Sequence, residues 1–143
     1  SLPPEQASLA ALVHEIGTLP LLVFAEEQQG LLENPRFLTT MLNKTAPKLG
    51  TIILQQWHFP SAIQLAPNWA QLLTHGGDGP PQIIDVVIVA KLQALEHSDH
   101  QLAQFPWTEV PAFARLGIEI EQAHAQIEDL SEEMASATAM LAG

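Results

Sequence analysis

The sequence predicts an all-α domain, a bundle of about seven helices. Three observations predict it. Apolar residues recur at steps of three and four along most of the chain, prolines and acids stand where helices start, and glycines stand where they stop. Hydrophobic residues make up 47% of the 143 positions and charged residues only 15%, which excludes the composition that leaves a chain disordered. A chain this long buries a real core.

The first helix starts at Pro3-Pro4-Glu5, because a missing amide and an acid suit a first turn. Leu9, Leu12, Val13 and Ile16 continue it to Gly17, and a second helix runs from Leu21 to about Gln29. Asn34-Pro35 opens a short helix through Phe37, Leu38, Met41 and Leu42. Pro47 reads as the first turn of a separate helix carrying Leu49, Ile52, Ile53, Leu54 and Trp57, which stops before Pro60. Another helix is expected from Ser61 to about Thr74. The run from Gly76 to Pro81 is a loop, since three glycines and two prolines hold no regular structure. Ile83–Glu96 is expected to be a buried helix despite its β-branched residues, and a short helix follows over Glu109–Leu116. In the last helix Leu116, Ile120, Ala123, Ile127, Leu130, Met134, Ala137 and Leu141 form a heptad pattern.

Composition also excludes functions. Without cysteine there is no disulfide, zinc finger or thiol nucleophile, and a reducing cytoplasm is the expected setting. Sixteen acids against five scattered bases give a net charge of −11, so no basic stripe can attract nucleic acid. Apolar runs such as Leu19–Ala25 and Ile83–Ala90 are far shorter than a membrane span, and no basic region of a signal peptide stands at the start. The expectation is no membrane association. Gly76-Gly77-Asp78-Gly79 lacks a following Lys-Ser or Lys-Thr and reads as a loop, not a phosphate cradle.

The stretch Leu12-Val13-His14-Glu15-Ile16-Gly17-Thr18-Leu19 resembles the LLHDIGxL signature of the HD superfamily, in its degenerate HDOD branch of bacterial signalling proteins. Leu49-Gly50, Leu54, Trp57, Phe59-Pro60 and Ile63 match a second motif of that branch in order and spacing. The resemblance covers about Pro3 to Ala94 and looks like the C-terminal portion of such a domain, implying an HD-domain-like bundle. It divides the chain into an HDOD-like core over 1–117 and an acidic C-terminal helix over 118–143, packed on the core or on a partner. Gly17, Gly50, Trp57 and Pro60 become structural motif residues, with Trp57 and Phe59 expected as core anchors.

The resemblance implies a metal site built from a His, a His-Asp pair and a later Asp. Only His14 is kept. Glu15 replaces the Asp, and its extra methylene moves the carboxylate by ~1.5 Å against a metal-distance tolerance near ~0.2 Å. Lys91 falls where the later aspartate belongs, and its ammonium opposes a cation. No metal and no cofactor are therefore expected, and His14, Glu15 and Lys91 are read as vestigial positions, with a Lys91–Glu15 ion pair holding two helices together. His97-Ser98-Asp99-His100 is the other group with ligand chemistry, and it reads as a solvated helix end.

The implied function is a non-catalytic regulatory or scaffolding module of bacterial signal transduction, acting on a protein partner or a neighbouring signalling domain. Ile120, Ile127, Leu130, Met134 and Leu141 form the candidate partner seam. A homodimer would use the same seam, though parallel pairing sets acid against acid, so a basic partner or antiparallel pairing is preferred. Two alternatives remain: a metal-dependent phosphohydrolase rearranged around His14, Glu15 and His58 or His75, and a small-ligand or nucleotide sensor near His14.

Overall fold

A computed structural model describes residues 2–142. Among these residues there are seven α-helices and no strand: α1 (Pro4–Val13), α2 (Thr18–Glu27), α3 (Pro35–Gln56), α4 (Ser61–Gln64), α5 (Ile83–Leu95), α6 (Pro111–Arg115) and α7 (Ile120–Ala142). Short 3₁₀ segments cover Ala66–Leu72 and Trp107–Glu109. The all-α bundle of about seven helices is what the sequence predicts.

The apolar run from Ile83 forms the central helix. Ile83, Ile84, Val87, Ile88, Val89 and Leu92 are all buried, because α5 is apolar round most of its circumference and is covered by α1, α4, α6, α7 and the Ala66–Leu72 segment. One charge goes into this core. Asp85 is fully buried, and its Oδ2 accepts a hydrogen bond from the Gln82 amide at 2.8 Å, closing the first turn of α5. Arg115, at the end of α6, answers it with Nη2 2.6 Å from Oδ1 and Nε 3.0 Å from Oδ2. The same guanidinium donates to the carbonyls of Gly77 and His75, so it also fastens the glycine-proline loop. Arg115 is held above its ordinary pKa, chiefly by the hydrogen bond to Asp85, with burial opposing.

Four local expectations are corrected. Residues 35–56 form one helix that runs through Pro47, not two helices divided there. Proline inside a helix costs about 3 kcal/mol, yet α3 packs against α2, α4 and the 3₁₀ segment along its length, and that packing overrides the local preference. Residues 61–74 do not form one helix. A single turn at Ser61–Gln64 passes into the 3₁₀ segment, with non-helical backbone at Asn68, whose Nδ2 donates to Thr51 Oγ1 at 2.8 Å. The heptad run does not reach back to Leu116, because Gly117 takes φ +70° and ends α6, with Ile118 N–H donating to the Phe113 carbonyl and Gly117 N–H to that of Ala114. Trp57 is no core anchor: 62% of it is exposed, and it leans loosely on Phe59 with ring centroids 6.5 Å apart.

The same end of α3 shows why the helix stops. His58 stands at φ +58°, with its N–H on the Gln55 carbonyl and that of Phe59 on the Leu54 carbonyl, a Schellman turn that seats Phe59, not Trp57, against the core. Pro60 then caps the start of α4.

One apolar stretch is longer than any single run suggests. Pro4–Glu27, taken as one stretch of 24 residues, has a window of mean hydropathy 1.7, of which 17% is buried, and is long and apolar enough to cross a bilayer. Reading apolar runs one at a time hides this, because His14 and Glu15 interrupt them. Within the fold the stretch is two helices joined by a turn at His14–Gly17.

Candidate functional site

The two motifs that carry the family resemblance meet in space. Gly17 lies in the turn between α1 and α2, and a Cβ there would stand 2.1 Å from the Ala46 carbonyl oxygen and 2.6 Å from the Gly50 nitrogen. Gly50 is buried in α3, and its own Cβ would touch the Pro67 ring at 3.0 Å. Gly17 therefore lets the turn meet the backbone of α3, and Gly50 lets the Pro67 ring of the 3₁₀ segment pack against that helix. Beside that contact opens a cleft of about 360 Å³, lined by His14, Glu15, Asn43, Trp69, Lys91 and His100 among others.

His14, Glu15 and Lys91 are held in the cleft by contacts within the fold. His14 follows the last residue of α1, and its Nδ1 hydrogen-bonds the Ala11 carbonyl at 2.5 Å, a contact that makes Nδ1 the donor. Nε2 is buried and has no hydrogen-bond partner among the described residues, 3.7 Å from Glu15 Oε1. Lys91 reaches over from α5, placing Nζ 3.2 Å from Glu15 Oε1 and 5.4 Å from the centre of the buried Trp69 ring. The structure thus contains the ion pair expected from the sequence. Glu15 is 63% exposed, so the pair contributes at most about 1 kcal/mol, with a comparable amount from the ammonium over the indole.

These residues do not fit a divalent cation. Two donors, one imidazole nitrogen and one carboxylate, stand beside an ammonium that already occupies the carboxylate. Among the described residues no group of three or more His, Cys, Asp or Glu side chains converges. Neither His58 nor His75 lines the cleft; the former caps α3 and the latter gives its carbonyl to Arg115. His97 and His100 point apart. His97 Nε2 is 3.0 Å from Glu128 on α7, while His100 turns its ring toward Trp69 at 6.4 Å and accepts the Leu102 amide at 3.1 Å on Nδ1.

The acidic C-terminal helix divides into a rooted half and a projecting half. At the root Ala123 is buried, Ile120 and Ile127 pack on the core, and His124 contacts Glu96 and stacks on Trp107 with centroids 3.9 Å apart. Trp107 stacks in turn on the buried Phe113. Beyond Ile127 the apolar seam is uncovered: Leu130 is 55%, Met134 62% and Leu141 90% exposed. A second apolar surface, Leu12, Leu19, Val23 and Phe24, lies open on α1 and α2.

No family model matches the chain, and neither a curated protein nor a solved structure is found to match it. Sequence reading named His14, Glu15 and Lys91 but not Asn43, Gln71 or Gln101 at the cleft, nor the turn of His100 toward Trp69, and it missed the Asp85–Arg115 pair. The only signal for that pair was an aspartate three residues after Gln82 inside an apolar run, beside a base with no local partner.

Proposed function

We propose that this chain is a non-catalytic regulatory or scaffolding module that works through protein contacts, of the signalling kind its HDOD resemblance implies. The observation that carries the reading is the seam of α7, which is apolar, continuous and left open by the protein's own core past Ile127. Exposed side chains of this size in a row at heptad spacing are a contact surface. The open apolar residues on α1 and α2 add a second one. The Lys91–Glu15 pair supports the same reading from the other side, because it fills with a cation the place where the resemblance puts a metal ligand.

The test has two arms. A photo-crosslinking residue at Met134 or Leu141, in cells, is expected to capture a discrete protein, and capture is expected to vanish when Leu130 is changed to Asp. Purified protein loaded with manganese, iron or magnesium is expected to turn over no phosphate ester. Turnover that disappears in His14→Ala establishes the phosphohydrolase reading instead.

A sensor reading has one specific observation in its favour. His14, whose Nε2 is buried and without a hydrogen-bond partner among the described residues, lines a cleft with Trp69 in its wall, so a small molecule carrying a hydrogen-bonding group and a flat ring matches it. Saturable thermal stabilisation by a nucleotide, abolished in His14→Ala and without turnover, is the outcome that selects it.

A further inference from the structure

We propose that the open seam of α7 pairs antiparallel with the same seam of a second copy of this chain. The inference rests on the contact reading above and names the occupant. At about 100° per residue, Ile127, Leu130, Met134, Ala137 and Leu141 share one stripe of α7, with Ser131 and Thr138 along one edge and Glu133 and Met140 along the other. Glu128, Asp129 and Glu132 fall away from any helix laid on that stripe. Charges at the edges set partner choice in paired helices, and past Ile127 Glu133 is the only one the edges carry. A charged foreign helix therefore gains little here, and a second copy meets little repulsion.

The root of α7 fixes how the two copies meet. Ala123 is buried and Ile127 packs on the core, so a helix laid on the seam cannot run past Ile127. Antiparallel pairing over what is left sets Leu130 against Leu141 of the second copy and Met134 against its Ala137, and the same two contacts recur with the copies exchanged. Each methionine thus meets an alanine. On the edges Glu133 faces Met140 of the second copy and Ser131 faces its Thr138, so no acid faces an acid. From Leu130 to Leu141 the stripe is about 17 Å long at a rise of ~1.5 Å per residue. At its end Met140 and Leu141, 82% and 90% exposed, arrive at the second copy's groove, about 560 Å³ between Ala94 and His97 of α5 and Ile127 and Leu130 of α7. Tip and groove are each used twice, as two-fold symmetry requires. A parallel pair leaves both grooves empty and brings the two cores, with the acids from Glu119 to Glu133, to the same end.

The test is sedimentation equilibrium of the full chain from ~1 μM to ~500 μM, with two cysteine variants for the orientation. The mass is expected to rise from that of one 15.6 kDa chain to that of two, and to do so at lower concentration as salt screens the charge of −11 on each copy. Leu130→Asp, at an exposed position, is expected to weaken association about tenfold or more, with circular dichroism verifying that the helix is kept. The chain has no cysteine of its own, so Leu130→Cys and Leu141→Cys report on register without interference. Oxidising the two variants together is expected to give a crosslinked mixed dimer, and oxidising either alone is expected to give little. Crosslinking of each variant with itself overturns the antiparallel pairing. Association that Leu130→Asp leaves intact overturns the use of the seam. A chain that stays single at ~500 μM overturns the second copy as occupant, and the contact reading then stands or falls by whether the crosslinker at Met134 captures a foreign protein. Metal-dependent turnover lost in His14→Ala defeats the contact reading itself, whatever the mass.

Discussion

Replacing Asp85 by Asn tests the logic of the core more sharply than any other single change. The carboxylate is fully buried and takes three donors: Arg115 Nη2 at 2.6 Å, Arg115 Nε at 3.0 Å and the Gln82 amide at 2.8 Å. Asparagine keeps the shape but turns one oxygen into a donor, which then faces another donor, and it leaves a guanidinium with only 6% of its side chain exposed beside no negative charge. Removing one partner of a buried pair costs about 3–5 kcal/mol, a large share of the ~5–15 kcal/mol that holds a domain together. At ~2.1 cal/mol/K per residue the unfolding entropy of this chain is about 0.3 kcal/mol/K, so the melting temperature is expected to fall by roughly 10–17 °C. Urea unfolding followed by the fluorescence of the buried Trp69 and Trp107 measures the same loss in free energy. The double variant Asp85→Leu/Arg115→Met is expected to cost no more than Asp85→Asn, since both charges leave together and what is lost is the Gln82 cap, about 1 kcal/mol, and the two hydrogen bonds from Arg115 to the Gly77 and His75 carbonyls, about 1 kcal/mol each. Because the pKa of Arg115 is raised, its contribution is complete below the unfolded value and is lost only as pH climbs through the folded one, far into alkali. The penalty is thus expected to be flat across neutral pH. A loss below about 1 kcal/mol for Asp85→Asn, or a double variant worse than the single one, refutes the reasoning.

Four further outcomes follow from the packing. Gly17→Ala drives a methyl into the backbone of α3 and is expected to destabilise by about 3 kcal/mol in urea unfolding, whereas a loss within ~0.5 kcal/mol shows that the turn does not touch α3. Lys91→Met removes an exposed ion pair and a cation over Trp69, so a loss of about 1 kcal/mol is expected by thermal melting; one above ~2 kcal/mol assigns the lysine a larger structural role. Trp57→Ala is expected to change stability by no more than ~0.5 kcal/mol, because the ring is mostly in water, while Phe113→Ala, fully buried under Trp107, is expected to cost about 3–5 kcal/mol.

By itself the sequence determined the fold class, the buried helix that starts at Ile83, the glycine-proline loop and the approach of Lys91 to Glu15. All four rest on short-range signals or on an aligned motif: apolar periodicity, chain-breaking residues, and two residue types that attract. Tertiary structure decided the rest. Pro47 lies inside a helix because three neighbours pack on α3, and Trp57 faces water because the left-handed turn at His58 seats Phe59 against the core instead. Asp85 finds Arg115 thirty positions away, and the seam of α7 is covered at its root and bare at its end. A residue's neighbours in sequence report its local conformational preference. Whether that preference holds, and which side chains are covered, depends on surfaces contributed by distant segments, whose summed burial outweighs any one local term.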